Sequence, residues 1–261
     1  MDGKLIILGC GGSAGVPAIG NWWGDCDPNE PKNIRTRPSI ALKTKDKLVI
    51  VDTGPDFRIQ MNREKLGAPD AVIITHTHFD HVNGIDELRT FQRQDRERTF
   101  PTYGLRETLE SLQKTAGYMF RPSENGFYRT VCMPHEVNAG KIVIQNIPMQ
   151  LFEQEHGTMP TLGIRIGNVA YSTDVKRLNA DALKTLAGVD TWIVDGAGHH
   201  RRENPVHACI EEIVEMNAQI GAKKVFLTHL PPVMDYQTLV KELPDNFAPA
   251  YDGLVIDFTA A

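Results

Sequence analysis

The sequence of 261 residues predicts an α/β protein, a four-layer αββα sandwich that forms one domain over residues 1–261. Two observations predict this class. Short apolar runs rich in valine and isoleucine recur along the chain, and turn residues bound each of them. Helical patterns lie between some of these runs, in two rounds of strands followed by helices. Two half-sheets are therefore expected to pack face to face, with helices outside.

The individual elements follow from the same patterns. Strands are predicted at 4–9, 39–43, 47–52, 71–75, 141–147, 162–166, 169–172, 191–194, 224–228 and 253–258. Helices are predicted at 56–66, 105–118, 180–186, 205–220 and 236–243. The helix 205–220 has the clearest signals, with Pro205 near its first turn and Gly221 as a stop. Residues 20–37 have no period and predict a long irregular loop.

Composition excludes several classes of protein. The formal net charge is −5, so the basic surplus of nucleic-acid-binding proteins is absent. The first apolar run is too short for a signal peptide, and no run approaches the roughly 20 apolar residues of a membrane span. We therefore expect a cytoplasmic protein without a membrane partner. The four cysteines are scattered and form no CxxC pair, which argues against disulfides and a cysteine-based zinc site.

The most informative segment is THTHFDH at residues 75–81, directly after an apolar strand. His76 and His78 are two residues apart, so in an extended segment their side chains can converge on one ion. Asp80 and His81 are adjacent and can point in different directions, so that one of them serves a neighbouring ion. Imidazole and carboxylate ligands suit zinc, manganese or iron. A polar turn without metal would leave several buried imidazoles in need of other partners.

The pattern HxHxDH resembles that of the metallo-β-lactamase superfamily, and the resemblance extends along nearly the whole chain. The strand end VIVDTG at 49–54 is similar to an early family element, and we expect its Asp52 to orient a ligand. The resemblance implies a metallo-β-lactamase fold and two divalent ions, zinc or manganese. By this resemblance the first ion is held by His76, His78 and His156, the second by Asp80, His81 and His229, and Asp174 bridges both.

Within the superfamily the chain resembles the PhnP-type phosphodiesterases, which are related to tRNase Z. The similar segments are LGCGGSAGVP at 8–17, RTRPS at 35–39, LTH at 227–229 and YDGL at 251–254. The resemblance implies a catalytic histidine at His207, in the first turn of the helix 205–220, where it contacts phosphate or acts as general acid. His199 and His200 compete for this role from a Gly-rich turn. His135 matches nothing and is expected in a loop.

The chain also departs from these relatives. The PhnP type has an early cysteine cluster that binds a structural zinc, whereas this chain has only Cys26 there, so we predict no structural zinc. Trp22 and Trp23 in this loop either stack on a base or sugar or fill the small core of the loop. Nothing resembles the arm with which tRNase Z grips tRNA. We therefore expect no large nucleic acid as a substrate.

The expected function is hydrolysis of a small cyclic or nucleotide-like phosphodiester by a hydroxide that two ions share. Asp80 would orient the hydroxide while it ligates, and His207 would donate a proton to the leaving oxygen. Residues 11–13 would bring backbone N–H groups near phosphate, which makes Ser13 a substrate-binding residue. Family members are often dimers, so a homodimer is also expected.

Three other functions fit the same residues. A thioester or lactone hydrolase would use the same metal site with a different pocket. A nucleotide-binding or sensory module would keep the metals with little turnover. A flavin-linked redox protein would use the site for iron, although the chain has no obvious flavodoxin-like extension.

Overall fold

The computed structural model describes residues 1–260, which form two seven-stranded sheets packed face to face. The strands are β1 Asp2–Gly9, β2 Ser39–Lys43, β3 Leu48–Val51, β4 Ala71–Ile73, β5 Phe100–Gly104, β6 Cys132–Glu136, β7 Gly140–Ile144, β8 Ile147–His156, β9 Met159–Ile166, β10 Val169–Ser172, β11 Thr191–Asp195, β12 Lys224–Thr228, β13 Phe247–Pro249 and β14 Val255–Thr259. The helices are α1 Phe57–Arg63, α2 Phe79–Val82, α3 Arg106–Thr115, α4 Gly117–Phe120, α5 Ala180–Leu186, α6 Ile210–Ile220 and α7 Tyr236–Glu242, with 3-10 helices at Pro31–Asn33 and Ile85–Arg93.

The order of strands brings several strand ends to one edge. The first sheet has the order β14-β1-β2-β3-β4-β5-β6, and β3 to β6 are parallel. The second sheet has the order β13-β12-β11-β10-β9-β8-β7, and β10 to β13 are parallel. Since β8 and β10 both pair antiparallel with β9, they run in the same direction. The carboxyl ends of β8, β10, β11 and β12 therefore lie on one side, where α/β proteins place their ligands.

Apolar side chains on both faces of the sheets build the layers. In β1, Leu5 and Ile7 point into the core between the sheets, while Ile6 and Leu8 pack against the outer layer that contains α1. A third cluster packs the second sheet against helices through residues such as Trp192 and Ile213. Strands buried on both faces read as continuous apolar runs, because neither face alternates with polar residues. The predicted four-layer αββα sandwich is confirmed.

Several predicted elements differ from the structure. The helix predicted at 205–220 begins only at Ile210. Before it, the Asn204 side chain accepts hydrogen bonds from the backbone N–H groups of Val206 and His207 and so stabilises a turn. The helix then starts where the Glu212 side chain accepts a hydrogen bond from the Cys209 N–H. The strand predicted at 141–147 ends at Ile144. A turn with positive φ at Gln145 and Asn146 reverses the chain there.

The helical pattern at 105–118 is also divided. It is broken at Ala116, where φ and ψ leave the helical region, into α3 and α4. The strands β5, β6, β8 and β13 were not predicted, and His135 lies on β6 rather than in a loop. Over residues 1–260, every helix is too short or too polar to cross a membrane.

Candidate metal centre

The segment after β4 carries four of the predicted ligands. His76 follows the strand as extended chain and is buried, whereas His78 is exposed and immediately precedes α2. The single turn of α2 then turns Asp80 and His81 inward, and both are buried. One short helix thus directs neighbouring residues of the motif toward different partners.

A first cluster consists of His76, His78, His156 and Asp174. His76 Nε2 lies 3.0 Å from His78 Nδ1 and 3.7 Å from Asp174 Oδ2. His156, the last residue of β8, places Nε2 3.6 Å from the same Asp174 oxygen. The Nδ1 of His156 donates to the Val206 carbonyl at 2.8 Å, so its Nε2 presents a lone pair to the cluster.

A second cluster consists of Asp80, His81 and His229, and it meets the other oxygen of Asp174. His81 Nε2 lies 3.1 Å from Asp174 Oδ1 and 3.4 Å from Asp80 Oδ2. His229 directly follows β12, and its Nε2 lies 3.2 Å from Asp80 Oδ2 and 3.5 Å from Asp174 Oδ1. The two clusters therefore share one carboxylate, with one oxygen turned to each.

The distances between the ligand atoms match those expected around a divalent ion. Around an ion with zinc–nitrogen bonds of 2.0–2.1 Å in tetrahedral geometry, neighbouring ligand atoms are separated by about 3.3 Å. The separations of 3.0–3.7 Å in the two clusters bracket this value. The buried Nε2 of His81 makes no hydrogen bond, although two carboxylate oxygens lie near it. An atom so placed points between the oxygens, where an ion would be bound.

The electrostatics of the clusters also call for positive charge. Burial raises the pKa of Asp174, but His229 and His81 outweigh it and hold that pKa well below its usual range. Burial raises the pKa of Asp80, but the neighbouring imidazoles of His229 and His81 outweigh it and lower that pKa. Burial lowers the pKa of His229, yet the nearby carboxylates, Asp174 above all, raise it to about 9. Without an ion, protonated histidines balance the negative charge of these carboxylates; a bound divalent cation would balance it instead.

Asp52 supports the second cluster from behind. It is fully buried, and its Oδ2 accepts a hydrogen bond from His81 Nδ1 at 2.8 Å. Its carboxylate also accepts from the backbone N–H and the hydroxyl of Thr75, each at 2.8 Å. The carboxylate fixes the tautomer that leaves Nε2 of His81 free to ligate.

Three of these residues have left-handed backbone. Asp52, Asp174 and His229 have φ angles of 65°, 52° and 58°, in a region that residues other than glycine rarely adopt. Each stands immediately after or within two residues of a strand end. Three of the eight non-glycine residues with positive φ thus lie at this centre, and backbone strain of this kind often occurs at functional sites.

His207 lies beside both clusters, in the turn before α6 rather than in its first turn as predicted. Its ring centroid is 4.9 Å from that of His156 and 5.1 Å from that of His229. Its Nδ1 lies 2.6 Å from Oδ2 of Asp195, which is fully buried at the end of β11. Burial lowers the pKa of His207, and the Asp195 carboxylate more than offsets this and raises it above the ordinary value.

Asp195 was not predicted from the sequence. The signal was present, because the acid directly follows the apolar strand predicted at 191–194, just as Asp52 follows its own strand. Asp195 also anchors the wall of the site. It accepts from the backbone N–H groups of Val175 and Ala197.

The remaining predicted residues are arranged differently. The N–H groups of Gly11 and Gly12 bond the carbonyls of Thr36 and Leu230, so they are not available to a phosphate; Ser13 is exposed beside them. Trp22 is 57% exposed and does not fill a core of the loop. The rings of His199 and His200 contact each other at a tilt of 42°, neither residue belongs to the two clusters, and His200 bonds Glu211.

Known proteins resemble this chain over different spans. An octanoyltransferase from Porphyromonas gingivalis is 32% identical over 96% of this chain and 51% of its own length. A ribonuclease Z from Thermococcus kodakarensis is 34% identical over 51% of this chain and 41% of its own length. The chain thus spans about half the length of the curated relatives that it matches, or less.

Among solved structures, a diphosphatase from the PhnP family is 29% identical, with a TM-score of 0.87 over 100% of this chain and 98% of its own. The family model described as beta-lactamase superfamily domain matches residues 47–230, which is more than half of the chain and includes every residue of both clusters. The protein therefore belongs to the metallo-β-lactamase superfamily of hydrolases.

Proposed function

We propose that this protein is a phosphodiesterase that binds two divalent ions, zinc or manganese, and hydrolyses a small cyclic or nucleotide-like phosphodiester. One observation carries the proposal. Asp174 turns its two carboxylate oxygens to two separate histidine clusters, and a third group, the pair of His207 and Asp195, stands beside both. Two ligand sets next to a proton donor suit the transfer of a phosphoryl group to water.

Each residue has a role in this scheme. When bound, the two ions lower the pKa of a water molecule and neutralise phosphate oxygens. His76, His78 and His156 would hold one ion, Asp80, His81 and His229 would hold the other, and Asp174 offers one carboxylate oxygen to each set. Asp80 would also orient the attacking oxygen. Asp52 keeps the His81 ring in the ligating tautomer through its hydrogen bond to Nδ1.

His207 is the proposed general acid. Asp195 accepts from Nδ1, so the Nε2–H faces away from that carboxylate and is free to protonate a leaving oxygen. The raised pKa keeps His207 protonated nearer to neutral pH than an ordinary histidine. This proton matters most when the leaving group is an alkoxide, which departs poorly as an anion.

The relatives and the charge support a small phosphodiester. Two relatives are a diphosphatase and a ribonuclease Z, and both names refer to cleavage of phosphorus–oxygen bonds. The net charge of −5 disfavours a long polyanionic strand, because such partners bind mainly through phosphate contacts with basic residues. Ser13 remains the proposed contact from the glycine-rich loop.

The first experiment measures hydrolysis of bis-p-nitrophenyl phosphate by the metal-free protein, then after reloading with zinc or with manganese. We expect turnover only after reloading, and none from Asp174→Asn under the same conditions. His135→Gln is the matched control, since His135 lies on β6 and does not join the clusters. The absence of turnover in a protein that binds two ions would refute the phosphodiesterase, and tight nucleotide binding without product would indicate a binding module instead.

A second candidate has its own support. The octanoyltransferase relative is similar over 96% of this chain, and its name refers to an acyl group. A thioester or lactone hydrolase would use the same ion sites, because a carbonyl oxygen is polarised by an ion as a phosphoryl oxygen is. Octanoyl thioesters assayed beside bis-p-nitrophenyl phosphate separate the two. A preference for the thioester in kcat/KM would favour this candidate.

A further inference from the structure

Three arginines lie near the glycine-rich loop and the start of β2, and the guanidinium groups of two of them are fully hydrogen-bonded within the protein. Arg35 is buried and donates to the Met234 carbonyl and to the Asn33 side chain. Arg63 donates to Glu64, Asp252 and the Leu8 carbonyl. These two side chains join segments that are distant in the sequence and need no ligand.

Arg37 is different. Its Nε lies 3.1 Å from Oδ2 of Asp56, an oxygen that also accepts from the Arg37 backbone N–H. Over residues 1–260, neither of its Nη groups donates a hydrogen bond, and the side chain is 25% exposed. Asp56 thus forms an ion pair with the Nε edge of the guanidinium, without a hydrogen bond from Nε. The other edge is a planar fork of N–H groups that suits a phosphate.

The backbone around Arg37 packs beside the segments that carry Asp80 and His229. A Cβ on Gly15 would lie 3.2 Å from Arg37 Nη1, so the absence of a side chain at Gly15 gives the guanidinium room. On the other side, a Cβ on Gly54 would lie 3.6 Å from Arg37 Cβ and would overlap the carbonyl oxygen of the ligand Asp80. The same loop contacts the opposite ligand, since a Cβ on Gly12 would lie 3.4 Å from the His229 carbonyl oxygen.

We propose that Arg37 is a positioning residue that binds a second phosphate, bonded to the phosphoryl group that is attacked. The inference rests on the proposed phosphodiesterase and names its substrate class as diphosphate diesters. The Arg37 fork holds the neighbouring phosphate while the His and Asp clusters act on the first. A substrate with one phosphate gains nothing from Arg37.

Kinetics of Arg37→Gln with two substrates provide the test. With ADP-ribose, a diphosphate diester, we expect kcat/KM to fall by about 10- to 100-fold, mainly through KM, the range of a hydrogen bond to a charged group. With bis-p-nitrophenyl phosphate, which has one phosphate, we expect a change of less than about twofold, since the Arg37 contact is not made. Arg37→Lys should retain part of the effect, because it keeps the charge and loses the fork. Arg58→Gln is the matched control, since Arg58 is exposed on the neighbouring helix and pairs only with Glu87.

A binding measurement separates this inference from the proposed function. Calorimetry of the zinc-loaded protein compares α,β-methylene-ADP, which has two phosphates, with AMP. The wild-type protein should bind the former about tenfold more tightly, and Arg37→Gln should lose that preference. Equal losses with both substrates, or an unchanged preference, would overturn the role of Arg37. A wild-type protein inactive on bis-p-nitrophenyl phosphate but with the Arg37-dependent preference would refute only the phosphodiesterase.

Discussion

Asp52 and His81 form a fully buried pair in which the carboxylate accepts a hydrogen bond from the imidazole Nδ1 at 2.8 Å. The far side of the same ring, Nε2, faces Asp174 and Asp80. Burial raises the pKa of Asp52 above its ordinary value, although the charge of His81 and the hydrogen bonds from His81 and Thr75 oppose this. The pair therefore connects the end of β3 to the His81 ring on α2 and fixes the orientation of this predicted metal ligand.

Replacing Asp52 tests this arrangement. Asp52→Asn keeps the shape and removes the charge that fixes the His81 tautomer, so the affinity for the second ion should fall by about 10- to 100-fold. Zinc competition with a chromophoric chelator measures the loss. Asp70→Asn, which changes a partly exposed acid paired with Lys47, should bind zinc like the wild type. An unaltered second affinity in Asp52→Asn would contradict the orienting role.

Metal content should distinguish the shared ligand from an unshared one. Asp80 belongs to the second cluster, whereas Asp174 has an oxygen in each. Asp80→Asn should therefore lose mainly one equivalent of zinc after dialysis, and Asp174→Asn should lose both in part, because each ion would lack one anionic ligand. Elemental analysis beside circular dichroism measures metal and fold together. Identical losses in both variants would argue against the bridging position.

The leaving group should decide how much His207 matters. With 2′,3′-cyclic AMP, which releases an alkoxide, His207→Ala should lower kcat by about 100- to 10,000-fold, the range of general acid catalysis. With bis-p-nitrophenyl phosphate, whose phenolate leaves without a proton, the loss should be far smaller. Asp195→Asn should follow the same pattern more weakly, because Asp195 acts through His207. Equal losses on both substrates would assign His207 to binding instead.

Asp235 provides a stability test away from the metal centre. It caps α7 by accepting from the Thr238 N–H, and it also accepts from Asn33 and from the Asp27 N–H, so it fastens the loop 20–37 to this helix. Loss of such a cap costs about 1–2 kcal/mol. The free energy of unfolding in urea at pH 7 should therefore be lower for Asp235→Ala than for the wild type by this amount. For Asp245→Ala, in an exposed loop, it should equal that of the wild type.

The effect of Asp235 should also depend on pH. Although burial raises its pKa, the hydrogen bonds from Asn33 and neighbouring N–H groups lower it to about 2, below the roughly 3.9 of an unfolded aspartate. A depressed folded-state pKa adds stability above the unfolded pKa, and that stability is lost as the pH falls toward 2. The difference in free energy of unfolding between the wild type and Asp235→Ala should thus be constant from pH 7 to 5 and become smaller below pH 4. A gap that widens in acid would contradict the assignment.

The four layers and the position of the predicted metal ligands at strand ends could be predicted from the sequence, because the buried strands are continuous apolar runs. The run at 71–74 stands directly before HTHFDH, and His229 directly follows another such run. Turn chemistry was harder to predict. The pair Gln145 and Asn146 reverses the chain within an apolar pattern, and only the positive φ angles reveal the hairpin.

Other features depend on contacts between distant residues. The strand β6 has four exposed residues out of five, so no apolar pattern announces it. The start of α6 depends on a turn that the Asn204 side chain stabilises, and His207 lies in this turn and not in the helix. The free fork of Arg37 could not be told from the satisfied Arg35 two residues earlier, because the difference lies in partners such as Met234, about 200 residues away.

The left-handed backbone at Asp52, Asp174 and His229 has a consequence for the free energy of the metal-free fold. Each such residue costs about 1–2 kcal/mol relative to glycine at the same φ. Glycine at Asp174 would therefore remove the ion bridge and still relieve the backbone, so the metal-free Asp174→Gly protein should melt above Asp174→Ala. The metal-free fold therefore gives up stability at these three backbone positions to hold the side chains of the metal centre, a trade between thermal stability and function.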